Sequence, residues 1–258
     1  DVFDLPMSKE AARCVLLKLY QFVPFDSWHM ISVGRIELSK AERQGVMARM
    51  FHADPLKAME KLVASKDGEE NITGGFNLWL AMDATKPIAW LQGNAGKLTA
   101  SQKDHAIQGI AEYSASQGDC DIARQWVGQI AEPVLKKRVE GQVWSMERDI
   151  VRREVSMNPE SAIQSMISGD SRHQDYWIEE AFSTWAVKDP AKAQVWYQEN
   201  WARLPANKSQ FLAAALATLA ADQGETATAR QWAALIQDAK TKQRIEAGIA
   251  KAEAAKGN

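Results

Sequence analysis

The sequence predicts an all-α protein: a superhelix, or solenoid, of about six antiparallel helical hairpins closed by a C-terminal capping helix. Three observations carry that expectation. Residues 117–143, QGDCDIARQWVGQIAEPVLKKRVEGQV, align without a gap to residues 223–249, QGETATARQWAALIQDAKTKQRIEAGI, at an offset of 106 residues. Self-similarity of this length marks stacked units, each too small to bury its own apolar face. Turn signals also recur, at Asp54-Pro55, Lys86-Pro87, Gly118-Asp119, Asn158-Pro159, Asp189-Pro190 and Gly224-Glu225. Finally, a small residue returns at one place after each turn: Ala58, Ala123, Ala162, Ala193 and Ala229, with Trp90 taking the slot once. Subtraction gives spacings of 32, 33, 39, 31 and 36 residues.

Taken in order, the chain opens with a helix over about Ser8 to Phe22, then an irregular stretch, Val23 to Ile36, containing Pro24, Asp26 and Gly34. Residues 1–38 read as a segment capping the array, and residues 39–258 as the repeat domain. Hairpins occupy about 39–237. Pro fits the first helical turn because its missing N–H costs nothing there, and a preceding Asp or Asn caps the free amides. Gly118 and Gly224 end the preceding helix in a left-handed conformation. The first helix of the fourth hairpin is the longest, about Val134 to Met157, which accounts for the 39-residue spacing. An Ala/Lys/Glu-rich helix over 239–256 has the polar face of a cap.

The turn and early second helix Gln117-Gly118-Asp119-Cys120-Asp121-Ile122-Ala123 resembles a tetratricopeptide repeat, with Ala123 on that family's small-residue position. Ala111, Ala181 and Ala217 fall on its close-packing position in the first helix, while Trp177 and Tyr197 match its aromatic positions. The stretch Trp185-Ala186-Val187-Lys188-Asp189-Pro190-Ala191-Lys192-Ala193-Gln194-Val195-Trp196 is similar to a degenerate bacterial form of that repeat. Units near 104–131, 174–203 and 210–237 fit well. In the others Val46, Leu78 and Ile150 replace the small residue.

The resemblance implies a right-handed superhelix whose concave face is lined by first helices. In the matched register that groove holds His105, Gln108 and Glu112, then Asp175, Ile178, Phe182 and Trp185, then Phe211 and Thr218. Aromatic and polar groups together suit an extended peptide or a partner helix. The recurring Trp126, Trp196 and Trp232 read as core, whereas Trp144, Trp185 and Trp201 are the better candidates for an exposed contact.

Little else in the sequence carries chemistry. With 31 Lys plus Arg against 33 Asp plus Glu, the net charge is -2 and gives no global field for nucleic acid. Lys136, Lys137 and Arg138, with Arg148, Arg152 and Arg153, are interleaved with acids and read as a salt-bridged face. His29, His52, His105 and His173 have no metal-ligand spacing, and no metal or cofactor is expected. Cys14 and Cys120 read as buried thiols, although pairing between them stays open. Gly74-Gly75 and Gly93-Asn94-Ala95-Gly96 lack a phosphate-loop signature and read as loops at helix ends. No catalytic residue is assigned, and no run is apolar enough to span a membrane. The chain begins at Asp1 without Met, so either a targeting segment has been cleaved, which implies export to a periplasm or cell surface, or the start has been trimmed, and the compartment stays open. The expected function is a non-enzymatic scaffold or adaptor for a protein or peptide partner, in unknown oligomeric state. The alternative is a module in cell-wall or glycan processing, resembling the superhelical domains of lytic transglycosylases.

Overall fold

The computed structural model describes residues 8–34, 36–65, 69–169 and 177–256. The described residues are all-α, with no strand. The chain divides into two compact units, Asp1–Val143 and Trp144–Asn258. Unit 1 holds α1 (Lys9–Leu19), α2 (Pro24–Ser32), α3 (Lys40–Ala53), α4 (Pro55–Ala64), α5 (Glu69–Met82), α6 (Lys86–Asn94), α7 (Ala100–Ser116) and α8 (Cys120–Val127). The boundary falls within α9 (Pro133–Met157). Unit 2 continues with α10 (Pro159–Ser168), α11 (Trp177–Lys188), α12 (Pro190–Asn200), a 3-10 turn at Trp201–Arg203, α13 (Ala206–Asp222), α14 (Thr226–Ala233) and α15 (Ala239–Lys256).

The turn chemistry explains where the helices break. Asp54, Asn158 and Asp189 each accept a hydrogen bond from the backbone N–H three residues on, at 3.0, 3.2 and 3.2 Å, with Pro at the first helical position. Gly118 and Gly224 adopt φ of 85° and 77°. Behind them, Asp119 N–H donates to Ser114 O at 2.9 Å and Glu225 N–H to Ala220 O at 2.7 Å. These are the bonds of one glycine-terminated helix end, formed twice.

Packing follows a regular order. In unit 1, α3 contacts α4 and α5, α4 contacts α5, α5 contacts α6 and α7, α6 contacts α7, and α7 contacts α8. In unit 2, α10 contacts α11, α11 contacts α12 and α13, and α13 contacts α14 and α15. The unit 2 core is aromatic: Phe182, Trp185 and Tyr197 are buried, with Trp196, Trp201 and Trp232 packed around them.

The 106-residue offset reaches further than the contiguous match. Helices α7 and α13 are 17 residues long, and α8 and α14 are 8. Their starts, and those of α9 and α15, differ by 106 positions. Upstream, Ile72, Phe76, Trp79, Asp83, Lys86, Trp90 and Asn94 stand at that same offset from Ile178, Phe182, Trp185, Asp189, Lys192, Trp196 and Asn200. The local contacts match too. Asn94 and Asn200 donate side-chain hydrogen bonds to Trp90 O and Trp196 O at 2.9 and 2.8 Å. Lys86 pairs with Asp83 and Lys192 with Asp189. The Phe76–Trp90 and Phe182–Trp196 ring centroids are both 6.1 Å apart.

Some expectations need correcting. Within Val23 to Ile36 the stretch Pro24–Ser32 is helical rather than irregular, because Pro24 starts α2 and Trp28, Met30 and Ile31 are buried from it. Pro at a first helical position initiates as readily as it terminates. Gly74 and Gly75 lie inside α5, not at its end. A Cβ on Gly75 would meet Leu62 Cδ1 at 2.7 Å and Phe51 Cζ at 3.0 Å, so that site is glycine because α3 and α4 side chains press against it. Cys14 is exposed and Cys120 buried, both as free thiols. Trp126, Trp196 and Trp232 are half-buried rather than central. On α8 the stripe Cys120, Ala123, Val127 takes the core. Trp126, one residue before Val127, sits about 100° round the helix from it, on the shoulder of that stripe.

Candidate functional site

A cleft of about 790 Å³ opens on unit 1. It is walled by α3, α5 and α7, with Arg138 reaching it from the start of α9. Each helix offers polar residues to it: Lys40, Arg43 and Gln44 from α3, Asn71, Thr73 and Asn77 from α5, and His105, Gln108 and Glu112, at helical spacing, from α7. Buried apolar residues anchor the same helices: Val46 and Met50 on α3, Ile72 and Phe76 on α5, and Ile107, Ile110 and Ala111 on α7. Leu38 and Met47 supply apolar lining.

Side chains of α5 and α7 are cross-linked along the cleft floor. Thr73 Oγ1 donates to His105 O at 3.1 Å and also lies 3.3 Å from Gln108 Oε1. His105 Nδ1 is 3.3 Å from both Thr73 Oγ1 and Gln108 Oε1. A proton on Nδ1 satisfies these acceptors, since the single threonine proton is engaged by the carbonyl. Gln108 Nε2 donates to Glu112 Oε1 at 2.8 Å, and Asn77 Nδ2 donates to Glu112 Oε2 at 3.3 Å. Both Glu112 oxygens are therefore held by amides, which fixes its side chain. A ladder tied at each rung is pre-organised, so a ligand orders few side chains on arrival.

Asp104 stabilises the same region from below. It is 3% exposed, and its two carboxylate oxygens accept from Ala131 N–H and Glu132 N–H at 3.0 and 2.9 Å. That fixes the chain entering α9 and hence the place of Arg138. A second hollow of about 510 Å³ adjoins the first and shares His105 and Arg138 with it.

Of the nine residues expected to line a groove, the structure brings His105, Gln108 and Glu112 together on this cleft. Asp175 lies outside the described residues. Ile178 and Phe182 are 0% exposed and Trp185 is 3% exposed, so these three are core residues of unit 2 rather than an open face. They form the i, i+4, i+7 stripe by which α11 is buried against its neighbours. Phe211 is half-buried against the same core, and Thr218 is exposed, its hydroxyl donating to Ala214 O at 3.0 Å. Of the two other tryptophans singled out, Trp144 is 46% exposed and Trp201 half-buried. The residues missed were Lys40, Arg43, Asn71, Thr73, Asn77 and Arg138.

Compared with known proteins, the chain matches no protein-family profile, no curated protein and no solved structure. Among the described residues, no helix is long and apolar enough to cross a membrane.

Proposed function

We propose that this protein is a non-enzymatic docking module, a tetratricopeptide-like solenoid of about six hairpins capped by α15, whose unit 1 cleft receives an extended peptide segment of a partner. The observation that carries this reading is the tied polar ladder Thr73–His105–Gln108–Glu112–Asn77 on the floor of an open cleft. Alternating amide donors and acceptors match what a peptide backbone offers in extended form. The stacking order supports the solenoid: α3, α5 and α7 contact one another in sequence, as α11 and α13 do, each with a shorter helix behind it.

The glycan-processing alternative has less support. Hydrolysis of a glycosidic bond needs two carboxylates facing one substrate. Among the described residues, Glu112 is the one carboxylate lining this cleft, and both its oxygens are engaged by amides.

Selection of a phage-displayed random peptide library on the immobilised protein tests the reading. Gln44, exposed on the cleft wall, is the position to block. Enriched peptides should bind the native protein in titration calorimetry and lose at least about tenfold in affinity against a Gln44→Trp variant of unchanged circular dichroism. Failure to enrich any peptide, or equal binding by both proteins, would overturn it.

A further inference from the structure

The two units treat one arginine differently. Arg138 and Arg244 occupy equivalent positions in the contiguous match, 106 residues apart. In unit 2, Arg244 Nη2 donates to both oxygens of Glu179, at 2.7 and 2.8 Å. The residue equivalent to Glu179 in unit 1 is Thr73, which has no charge. Thr73 and Arg138 both line the cleft, and among the described residues Arg138 makes no ion pair. One copy thus carries an internal carboxylate on this arginine. The other has the arginine beside an open space and, among the described residues, no acid paired with it.

Resting on the docking reading above, we propose that the cleft's occupant is an acidic segment of a partner protein, one carboxylate of which takes on Arg138 the place that Glu179 takes on Arg244. The rest of the cleft agrees. Lys40 and Arg43 stand one turn apart on the α3 wall, also without an ion pair among the described residues, so the described lining holds three cations against one carboxylate. The whole chain is slightly acidic, at -2, so this excess is local to the site. Elsewhere in unit 1, Arg13 pairs with Glu42 and Arg124 with Asp121. Unpaired surface cations are ordinary one at a time. Placed on opposite walls of one pre-organised cleft, they select acidic side chains on both edges of an extended strand. A carboxylate is favoured over a phosphodiester because Glu112 is fixed on the floor, where a continuous polyanion would run against it.

The test uses three fluorescein-labelled dodecapeptides, alternating serine with glutamate, glutamine or lysine, and a labelled dodecathymidylate. Their anisotropy is read against the native protein, Arg138→Glu and Thr73→Glu, each checked by circular dichroism. The glutamate peptide should bind the native protein about tenfold or more tighter than the glutamine peptide, and the difference should shrink at high salt. Thr73→Glu restores an internal acid beside Arg138 and should abolish that preference. Arg138→Glu, at an exposed position, should do so without disturbing the core. Equal binding of the glutamate and glutamine peptides, both blocked by Gln44→Trp, would leave peptide docking standing and overturn the acidic preference. Tighter binding of the oligonucleotide would overturn it in favour of a phosphate-bearing ligand. Absence of any binding would overturn it, leaving the library selection to judge docking itself.

Discussion

Helices α7 and α13 start at Ala100 and Ala206, run 17 residues each and end in the same left-handed glycine turn. Their inner faces agree: Ala111 and Ala217 are both fully buried, as are Ala123 and Ala229 on the helices that follow. Their outer faces do not. His105, Gln108 and Glu112 on α7 correspond to Phe211, Ala214 and Thr218 on α13. The first set builds a hydrogen-bonded ladder over a cleft, whereas Phe211 packs into the unit 2 core and Ala214 is fully buried. Interior positions are constrained by close packing and change little. The face turned away from that packing is free to diverge, and there one unit becomes a site and the other more core.

The sharpest way to test this is at Gly109. An added Cβ would meet Phe76 Cβ at 2.7 Å and the Thr73 carbonyl oxygen at 2.8 Å, and a backbone atom cannot swing aside. The equivalent residue of α13 is Ala215, 1% exposed and accommodated. Helix propensity alone says that Gly109→Ala should stabilise by about 1 kcal/mol. The packing says that it should destabilise by about 3 kcal/mol. Ala215→Gly should lose only about 1 kcal/mol. Urea denaturation midpoints of the two variants decide it, and a stabilising Gly109→Ala would remove the close approach that holds Thr73 against His105. A smaller effect is expected one turn earlier. Asp104→Ala leaves two backbone N–H groups without their charged acceptor and should cost about 2 kcal/mol. Gln210, its counterpart, is a neutral amide that accepts from Asp238 N–H at 3.0 Å, at an exposed site. Gln210→Ala should therefore cost about 0.5 kcal/mol, again by denaturation midpoint. Equal losses would mean that the entry into α9 is not anchored as described.

The helices and most of their ends were legible because their causes are local: a Pro after Asp or Asn, a Gly after Gln. The α7 portion of the site was legible for the same reason, since its turn and its small residues set one register. The α3 and α5 portions were not. Val46 and Leu78 stand where the register expects a small residue, so no phase could be carried back from α7 to Arg43 or Thr73. The signal that would have found them is the 106-residue offset. Upstream of residue 99 it survives only at isolated positions such as Phe76, Trp79 and Trp90, spaced by helical turns, where contiguous matching is blind. Applied there, it pairs Thr73 with Glu179 and shows the missing acid. Ile178, Phe182 and Trp185 were misplaced because helical spacing alone does not say which side of a helix faces the core, and their apolar character did. Phe182→Ala removes packing, not a contact surface.

The smallest difference between the units is readable by pH. Asp83 and Asp189 are equivalent, and both are held below the ordinary aspartate range. For Asp83 the largest cause is the Lys86 side chain, followed by the N–H groups of Thr85 and Lys86. For Asp189 it is Lys192 N–H, then the Lys192 side chain. Asp83 Oδ1 accepts from Thr85 N–H, Thr85 Oγ1–H and Lys86 N–H, at 3.0, 2.8 and 3.1 Å, whereas Asp189 Oδ1 takes one backbone N–H at 3.2 Å. A carboxylate whose folded pKa is depressed contributes stability that is fully present above its unfolded pKa, near 4, and is lost as pH falls through the folded value. Both sites are exposed, so water and salt screen the effect and only its direction and order are at issue. At neutral pH, Asp83→Asn should lower the melting temperature more than Asp189→Asn does. Near pH 3, below the unfolded aspartate pKa, both deficits should narrow, and the Asp83 deficit should keep the larger fraction of its neutral-pH value because its carboxylate resists protonation longer. Deficits that stay constant with pH would mean that these helix starts are held by side-chain shape, and that the charge shared by the two units at this turn does nothing for either.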